Sequence, residues 1–308
     1  MLSGLGIRLR RTQRGGYVKI GWIGTGIMGG PMAGYLQAAG HELVVHTRTK
    51  SRAAGLLAKG AVWCEAPSEV AARCEVLFSI VGYPADVRST YLGREGVLLG
   101  APSCHTIVDM TTSQPSLAKE IAERAGQLHI AALDAPVSGG DVGAREGTLA
   151  IMVGGDSEAF ERIRWLLERM GGTISLMGPA GAGQHTKMCN QILVAGTMIG
   201  VCESLLYAAR QGMDQNAIIG VIGSGAARSF LINNLGPRIA AGDYAPGFVV
   251  DHFVKDMGIA LQEAEAAKLS LPGLALVRQL YVALQAQGGG GCGTQGLFLA
   301  LDKLNGIG

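Results

Sequence analysis

Lys187, Asn190 and Gln191 stand at i, i+3 and i+4 in the run GAGQHTKMCNQ (181–191). A helix there carries all three on one face near its first turns. That helix is predicted from Gln184 to about Gln211. Downstream it turns apolar and small, with Ile192, Leu193, Ala195, Gly196, Met198, Ile199 and Gly200, the composition of a helix packed closely on most sides. An ammonium group in such a place costs free energy unless its charge is used. Burial lowers an amine's proton affinity towards neutrality, which is what a general acid or base needs.

Two further runs carry chemistry. Asp134-Ala135-Pro136-Val137-Ser138-Gly139-Gly140 puts a hydroxyl and several unhindered N–H donors in one turn. That suits a carboxylate or oxyanion cradle, and equally an ordinary Pro/Gly turn after a strand. Gly24-Thr25-Gly26-Ile27-Met28-Gly29 follows the apolar run Tyr17–Ile23 and opens a helical pattern to Ala39. This is GxGxxG in strand–turn–helix context. Gly24 makes the tight turn, Gly26 lets backbone approach a pyrophosphate, and Gly29 lets helix and strand pack. The helix N-terminus adds N–H groups and the positive end of its dipole. At the end of the next strand, where an acid would hold the ribose hydroxyl of NAD, stand Thr47, Arg48, Thr49, Lys50 and Arg52. Hydroxyls and cations there predict NADP(H), whose 2′-phosphate they complement.

The elements that must position these residues alternate. Strands are predicted at Glu42–His46, 61–63, Glu75–Val81, His105–Asp109 and Leu128–Leu133, with helices at 68–73, Pro84–Tyr91 and Gln114–Ala125. Such βαβ repetition predicts a Rossmann-type doubly wound parallel sheet, with ligands at the carboxyl edge of its strands. A hairpin-like segment (147–153), a helix (157–170) and a strand (173–176) complete it, and Asp141–Glu146 is expected as a loop. After Gly178 the pattern is helical to the end, over 214–223, 230–241, 250–268, 274–287 and 294–304. The predicted organisation is therefore a leader (1–17), a nucleotide-binding domain (18–178) and an all-α substrate and oligomerisation domain (179–308). Lys255 opens the amphipathic stretch KDMGIAL; taken alone, it could face solvent.

Composition bounds the rest. The chain has 308 residues, 16% charged and 48% hydrophobic, with a net charge of +2, the profile of a globular protein with a sizeable core. Arg8, Arg10, Arg11 and Arg14 lie in an acid-free leader; taking these four from +2 leaves the body at about −2, no footprint for nucleic acid. Six scattered cysteines without CxxC predict reduced thiols and no structural zinc. No run approaches the ~18 consecutive apolar residues of a membrane span. The leader is expected to be disordered or non-native, with a natural start near Val18, in a cytoplasmic protein; its Arg-rich composition also fits a mitochondrial transit peptide.

Four motifs stand in fixed order: GWIGTGIMGGPMA (21–33), DAPVSGG (134–140), GAGQHTKMCNQ (181–191) and FVVDHFVKDMGIAL (248–261). Together they closely resemble the β-hydroxyacid dehydrogenase family, over about Val18 to Leu304. That family includes 3-hydroxyisobutyrate dehydrogenase, tartronate semialdehyde reductase and glyoxylate/succinic semialdehyde reductases. The resemblance implies hydride transfer between NADP(H) and a short hydroxy acid or its semialdehyde, with Lys187 as general acid/base. It implies that Ser138 and Gly139 bind the substrate carboxylate or carbonyl and that Asn190 or Gln191 positions it. It further implies that Thr112 lies near the nicotinamide and that Lys255 reaches cofactor or substrate across a cleft. Relatives form dimers or tetramers, so a homodimer or homotetramer is expected. Two departures bear on substrate: Gln191 stands where many members have Asn, and Thr294-Gln295-Gly296 where an Asp-x-Ser pattern is common. The rivals are an imine reductase and a non-catalytic dinucleotide sensor. Both usually lack the lysine.

Overall fold

The computed structural model describes residues 16–99 and 103–306. The leader, apart from Gly16 and Tyr17, lies outside the described residues. Among the described residues nine strands form one sheet: β1 (Lys19–Ile23), β2 (Glu42–His46), β3 (Val62–Trp63), β4 (Val76–Ser79), β5 (Thr106–Asp109), β6 (Ala131–Asp134), β7 (Val137–Ser138), β8 (Leu149–Gly154) and β9 (Gly171–Gly178). The order is β3-β2-β1-β4-β5-β6-β8-β7, with β9 beside β8. Neighbours from β3 through β6 are parallel. Helices α1 (Gly29–Ala38), α2 (Ala54–Leu57), α3 (Pro67–Ala71), α4 (Pro84–Leu92), α5 (Pro115–Gln127), α6 (Gly140–Glu146) and α7 (Ser157–Leu167) connect the strands.

Both faces of the central strands β1, β4 and β5 are buried, so these strands are largely apolar rather than alternating, whereas β9 alternates between half-buried and exposed residues. Ile20 and Trp22 of β1, with Val76 and Phe78 of β4, enter one core. Ile23, Leu77 and Ile107 enter the other. Trp22 stacks on Phe78 with ring centroids 5.6 Å apart.

Two expectations are corrected here. The hairpin-like segment expected over 147–153 is a single strand, β8, and it breaks the parallel order expected of the sheet. β8 runs antiparallel to β6 and β7 and parallel to β9. Residues 141–146 are not a loop but most of α6. Its N-cap is Gly139 at φ +132°, and it ends at Gly147 in the left-handed region. Glycines at both boundaries, usual at helix ends, made the short helix look like a turn.

The remainder is helical: α8 (Ala182–Arg210), α9 (Gln215–Ile222), α10 (Phe230–Asn234), α11 (Gly236–Ala240), α12 (Val250–Ala266), α13 (Pro272–Ala286) and α14 (Leu297–Leu304). The single helix expected over 230–241 is two, divided at Leu235 two residues before Pro237; the proline ring and its missing N–H favour a new helix start. By length and composition α8 passes as a membrane span, against the reading that no run approaches one: its best window has mean hydropathy 1.8. Ile192, Leu193, Val194, Met198, Ile199, Val201, Leu205 and Leu206 carry that average, while Gly196, Thr197, Gly200, Glu203 and Ser204 interrupt the apolar run. The core helix of a soluble protein passes the same test, and α8 contributes Met198, Val201, Cys202 and Leu205 to the helical core.

Candidate active site

The start of α8 is tied to the carboxyl edge of the sheet. Asp134, at the end of β6, accepts hydrogen bonds from the backbone N–H of Gly181 (2.7 Å) and Gln184 (2.8 Å). Otherwise these first-turn donors would be orphaned. The Gln184 side chain is fully buried, donating to Thr111 O (2.7 Å) and accepting from Ser113 N (2.9 Å). Contact is so close that a Cβ on Gly183 would come 2.3 Å from Met152 O and 2.6 Å from Asp134 O.

One turn further on is Lys187, 7% exposed. Burial, the largest cause, lowers its amine to about 8; Asp256 opposes that shift and Lys255 adds to it. Beside it runs a polar chain. Ser138 Oγ donates to Asn190 Oδ1 (3.2 Å), Asn190 Nδ2 to Gln191 Oε1 (2.7 Å), and Gln191 Nε2 to Asp256 Oδ2 (2.6 Å). The chain begins on β7, passes through α8 and ends on α12. It brings together Ser138, Asn190 and Gln191 from distant motifs.

Lys255 does not face solvent. Its ammonium donates to Thr112 O (2.8 Å) and Gly82 O (3.2 Å), spanning from α12 to the loops after β5 and β4. It also lies 3.0 Å from Asp256 Oδ1, an ion pair without hydrogen-bond alignment. His252, one turn earlier on α12, stacks on Tyr83 of the β4–α4 loop at 5.0 Å.

The dinucleotide motif forms the turn its glycines demand. Gly24 has φ +94°, and a Cβ there would lie 2.0 Å from Ile80 O. A Cβ on Gly29 would lie 1.9 Å from Gly24 O. By contrast, a Cβ on Gly26 would meet open space, leaving the backbone above the α1 N-terminus clear for a phosphate. Ile27 is exposed at this rim, Met28 is the N-cap of α1, and the buried Thr25 hydroxyl has no hydrogen-bond partner. At the end of β2, Thr47 is half-buried and Thr49 and Arg52 are exposed. Arg48 projects with 81% of its side chain exposed and pairs with Asp86 Oδ1 at 3.1 Å. An open glycine cradle, an orphaned hydroxyl and exposed cations fit a phosphorylated dinucleotide.

Sequence reasoning missed four contributors: Asp86, Asp134, Gln184 and Asp256. A capping-box aspartate three residues after Tyr83 was the available signal for Asp86. The acid next to Lys255 was visible without a partner to give it meaning.

The comparisons agree with this geometry. Residues 19–178 match the family described as the NAD binding domain of 6-phosphogluconate dehydrogenase, and residues 181–300 the one described as NAD-binding of NADP-dependent 3-hydroxyisobutyrate dehydrogenase. The chain is 49% identical to the uncharacterized oxidoreductase YkwC of Bacillus subtilis, covering 91% of this chain and 97% of that one. It is 39% identical to 2-hydroxy-3-oxopropionate reductase of Escherichia coli, over 93% and 98%. Among solved structures, Psf3 in complex with NADP+ and 2-OPP superposes with a TM-score of 0.84 at 25% identity, over 92% and 99%. With both halves matched and the lysine, the glycine cradle and the serine turn converging on one sheet edge, the chain belongs to the β-hydroxyacid dehydrogenase family of NAD(P)-dependent oxidoreductases.

Proposed function

We propose that this protein interconverts a short 3-hydroxy acid (or a 2- or 4-hydroxy acid) and its semialdehyde using NADP(H), with Lys187 as general acid/base. The observation that carries the reading is the Lys187 amine, buried and lowered to about 8, beside the Ser138–Asn190–Gln191–Asp256 chain. The nicotinamide, when bound, supplies or accepts the hydride. In reduction, Lys187 gives its proton to the carbonyl oxygen; in oxidation it takes the hydroxyl proton. An amine near 8 serves both directions close to neutrality.

Ser138 Oγ and the backbone of Gly139 hold the substrate carboxylate, and Asn190 and Gln191 orient the reacting carbon. Holding donor and acceptor in register is itself a large part of such catalysis. Gly24, Gly26, Ile27 and Met28 receive the pyrophosphate. Thr47, Arg48, Thr49 and Arg52 receive the adenosine 2′-phosphate. Thr112 and Lys255 close the nicotinamide end. In this reading residues 18–178 form the cofactor domain and residues 179–308 the substrate domain, and the enzyme works in the cytoplasm.

Assembly into a homodimer or homotetramer is part of the same reading. Among the described residues α8 exposes Leu193 (72%) and Tyr207 (67%) on either side of Gly196 and Gly200, where added Cβ atoms would meet open space. Such an apolar stripe on a long helix suits burial against another copy.

The test is NADPH oxidation, with NADH in parallel, against glyoxylate, succinic semialdehyde, methylmalonate semialdehyde and tartronate semialdehyde. Turnover of one aldehyde with NADPH preferred is expected, together with a loss of about 10²–10⁴-fold in Lys187→Ala at unchanged NADPH affinity. Near-normal turnover in Lys187→Ala removes the acid/base role. Tight NADPH binding without turnover on any aldehyde overturns the substrate class.

A further inference from the structure

The end of β2 carries no acid of its own, yet the fold supplies one from elsewhere. Asp86, in the first turn of α4, places Oδ1 3.1 Å from Arg48 NH1, while its Oδ2 accepts the backbone N–H of Tyr83 at 3.1 Å. The two residues are 38 apart in sequence and meet because β2 and β4 flank β1, so their carboxyl ends open on the same side. The carboxylate is the less exposed partner, 23% against 81%. It is held by its cap, whereas the guanidinium lies mostly in solvent. A Cβ on Gly82 would lie 3.0 Å from Asp86 Oδ2, so the carboxylate sits directly against the loop after β4 that lines the carboxyl edge.

We propose that Asp86 is a specificity-determining residue that moderates the preference for NADP over NAD by competing with the 2′-phosphate for Arg48. The inference rests on the assignment of Arg48 to the adenosine 2′-phosphate. A carboxylate can accept a hydrogen bond from a ribose hydroxyl, but it repels a phosphate. Phosphate must therefore share Arg48 with a fixed negative charge. A solvent-exposed pair of this kind is weak, so the effect is modest. It is also electrostatic, so salt screens it.

Asp86→Asn is the informative variant, because its amide oxygen still accepts the Tyr83 N–H and the α4 cap survives. Equilibrium binding of NADPH and of NADH, followed by protein fluorescence on the full chain at low salt, reads the effect without turnover. The expected result is a two- to fivefold tighter Kd for NADPH, about 0.4–1 kcal/mol, with NADH unchanged or weaker. The gain should shrink in an Arg48→Gln background and in ~1 M salt. An unchanged NADPH/NADH ratio overturns the inference while leaving the cofactor assignment intact. Weaker NADPH binding in Asp86→Asn also overturns it, making Asp86 an orienter of Arg48. If the unaltered protein binds NADH as tightly as NADPH and Arg48→Gln changes neither, the NADP reading itself fails.

Discussion

Replacing Asp256 by asparagine isolates one charge from the packing around it. Asp256 is almost completely buried, accepts from Gln191 Nε2 at 2.6 Å and ion-pairs with Lys255 at 3.0 Å. It opposes the burial that lowers the Lys187 amine to about 8. An opposite charge at close range commonly moves a titrating neighbour by on the order of one pH unit, equivalent to about 1.4 kcal/mol. Without it, the Lys187 amine falls towards roughly 7. In the reducing direction the acid form is the active one, so activity is lost as pH rises through that value. The protonated fraction at pH 8.5 then drops about eightfold, while at pH 6 it changes by less than twofold. The Gln191 bond, losing its charged acceptor, weakens by about 1 kcal/mol and adds a pH-independent loss of up to about fivefold. The assay is kcat/KM for aldehyde reduction at saturating NADPH from pH 5.5 to 9.5. An alkaline limb displaced to lower pH is expected. A limb that stays in place, or moves to higher pH, refutes the coupling of Asp256 to Lys187.

Gly183→Ala should displace α8, because the new Cβ would meet backbone oxygens of both Met152 and Asp134; a stability loss of about 1–3 kcal/mol in urea unfolding should accompany a fall in kcat, and an unaltered kcat would mean that the site tolerates the shift. Asp109 is buried and pushed up to about 6, mainly by burial. The folded state then keeps a proton that the unfolded chain releases at lower pH, so this carboxyl costs stability progressively as pH rises from about 4 to 6. Asp109→Asn, whose amide oxygen can still accept from Ser79 Oγ and Thr111 N, should raise Tm at pH 7.5 and lose that advantage near pH 4; equal gains at both values would refute the linkage. Tyr207→Glu, together with Leu193→Glu, should lower the mass measured by light scattering if α8 mediates assembly, and an unchanged mass would place the interface elsewhere.

What the chain alone determined was local. GxGxxG could be read because glycine's steric freedom is a property of single residues: Gly24 adopts a left-handed φ, and a side chain on Gly29 would collide with Gly24 five residues away. The apolar strands announced a sheet buried on both faces, since their composition reflects burial whatever packs on them. The face of α8 that carries Lys187, Asn190 and Gln191 followed from helical spacing. The tertiary structure decided what no spacing encodes. Lys255 finds Thr112 and Gly82 from 143 and 173 residues away. Asp256 closes the polar chain across 65 residues, and Asp134 caps α8 across 47. Asp86 brings a carboxylate to the acid-free end of β2, because strand order, rather than sequence order, makes β2 and β4 both flank β1. Packing also turned 147–153 into a strand between β6 and β9, and closed α6 between two glycines that suggested only a turn. Charges and caps are satisfied by whichever group the fold brings near, and that proximity belongs to the sheet order and helix packing of the whole chain.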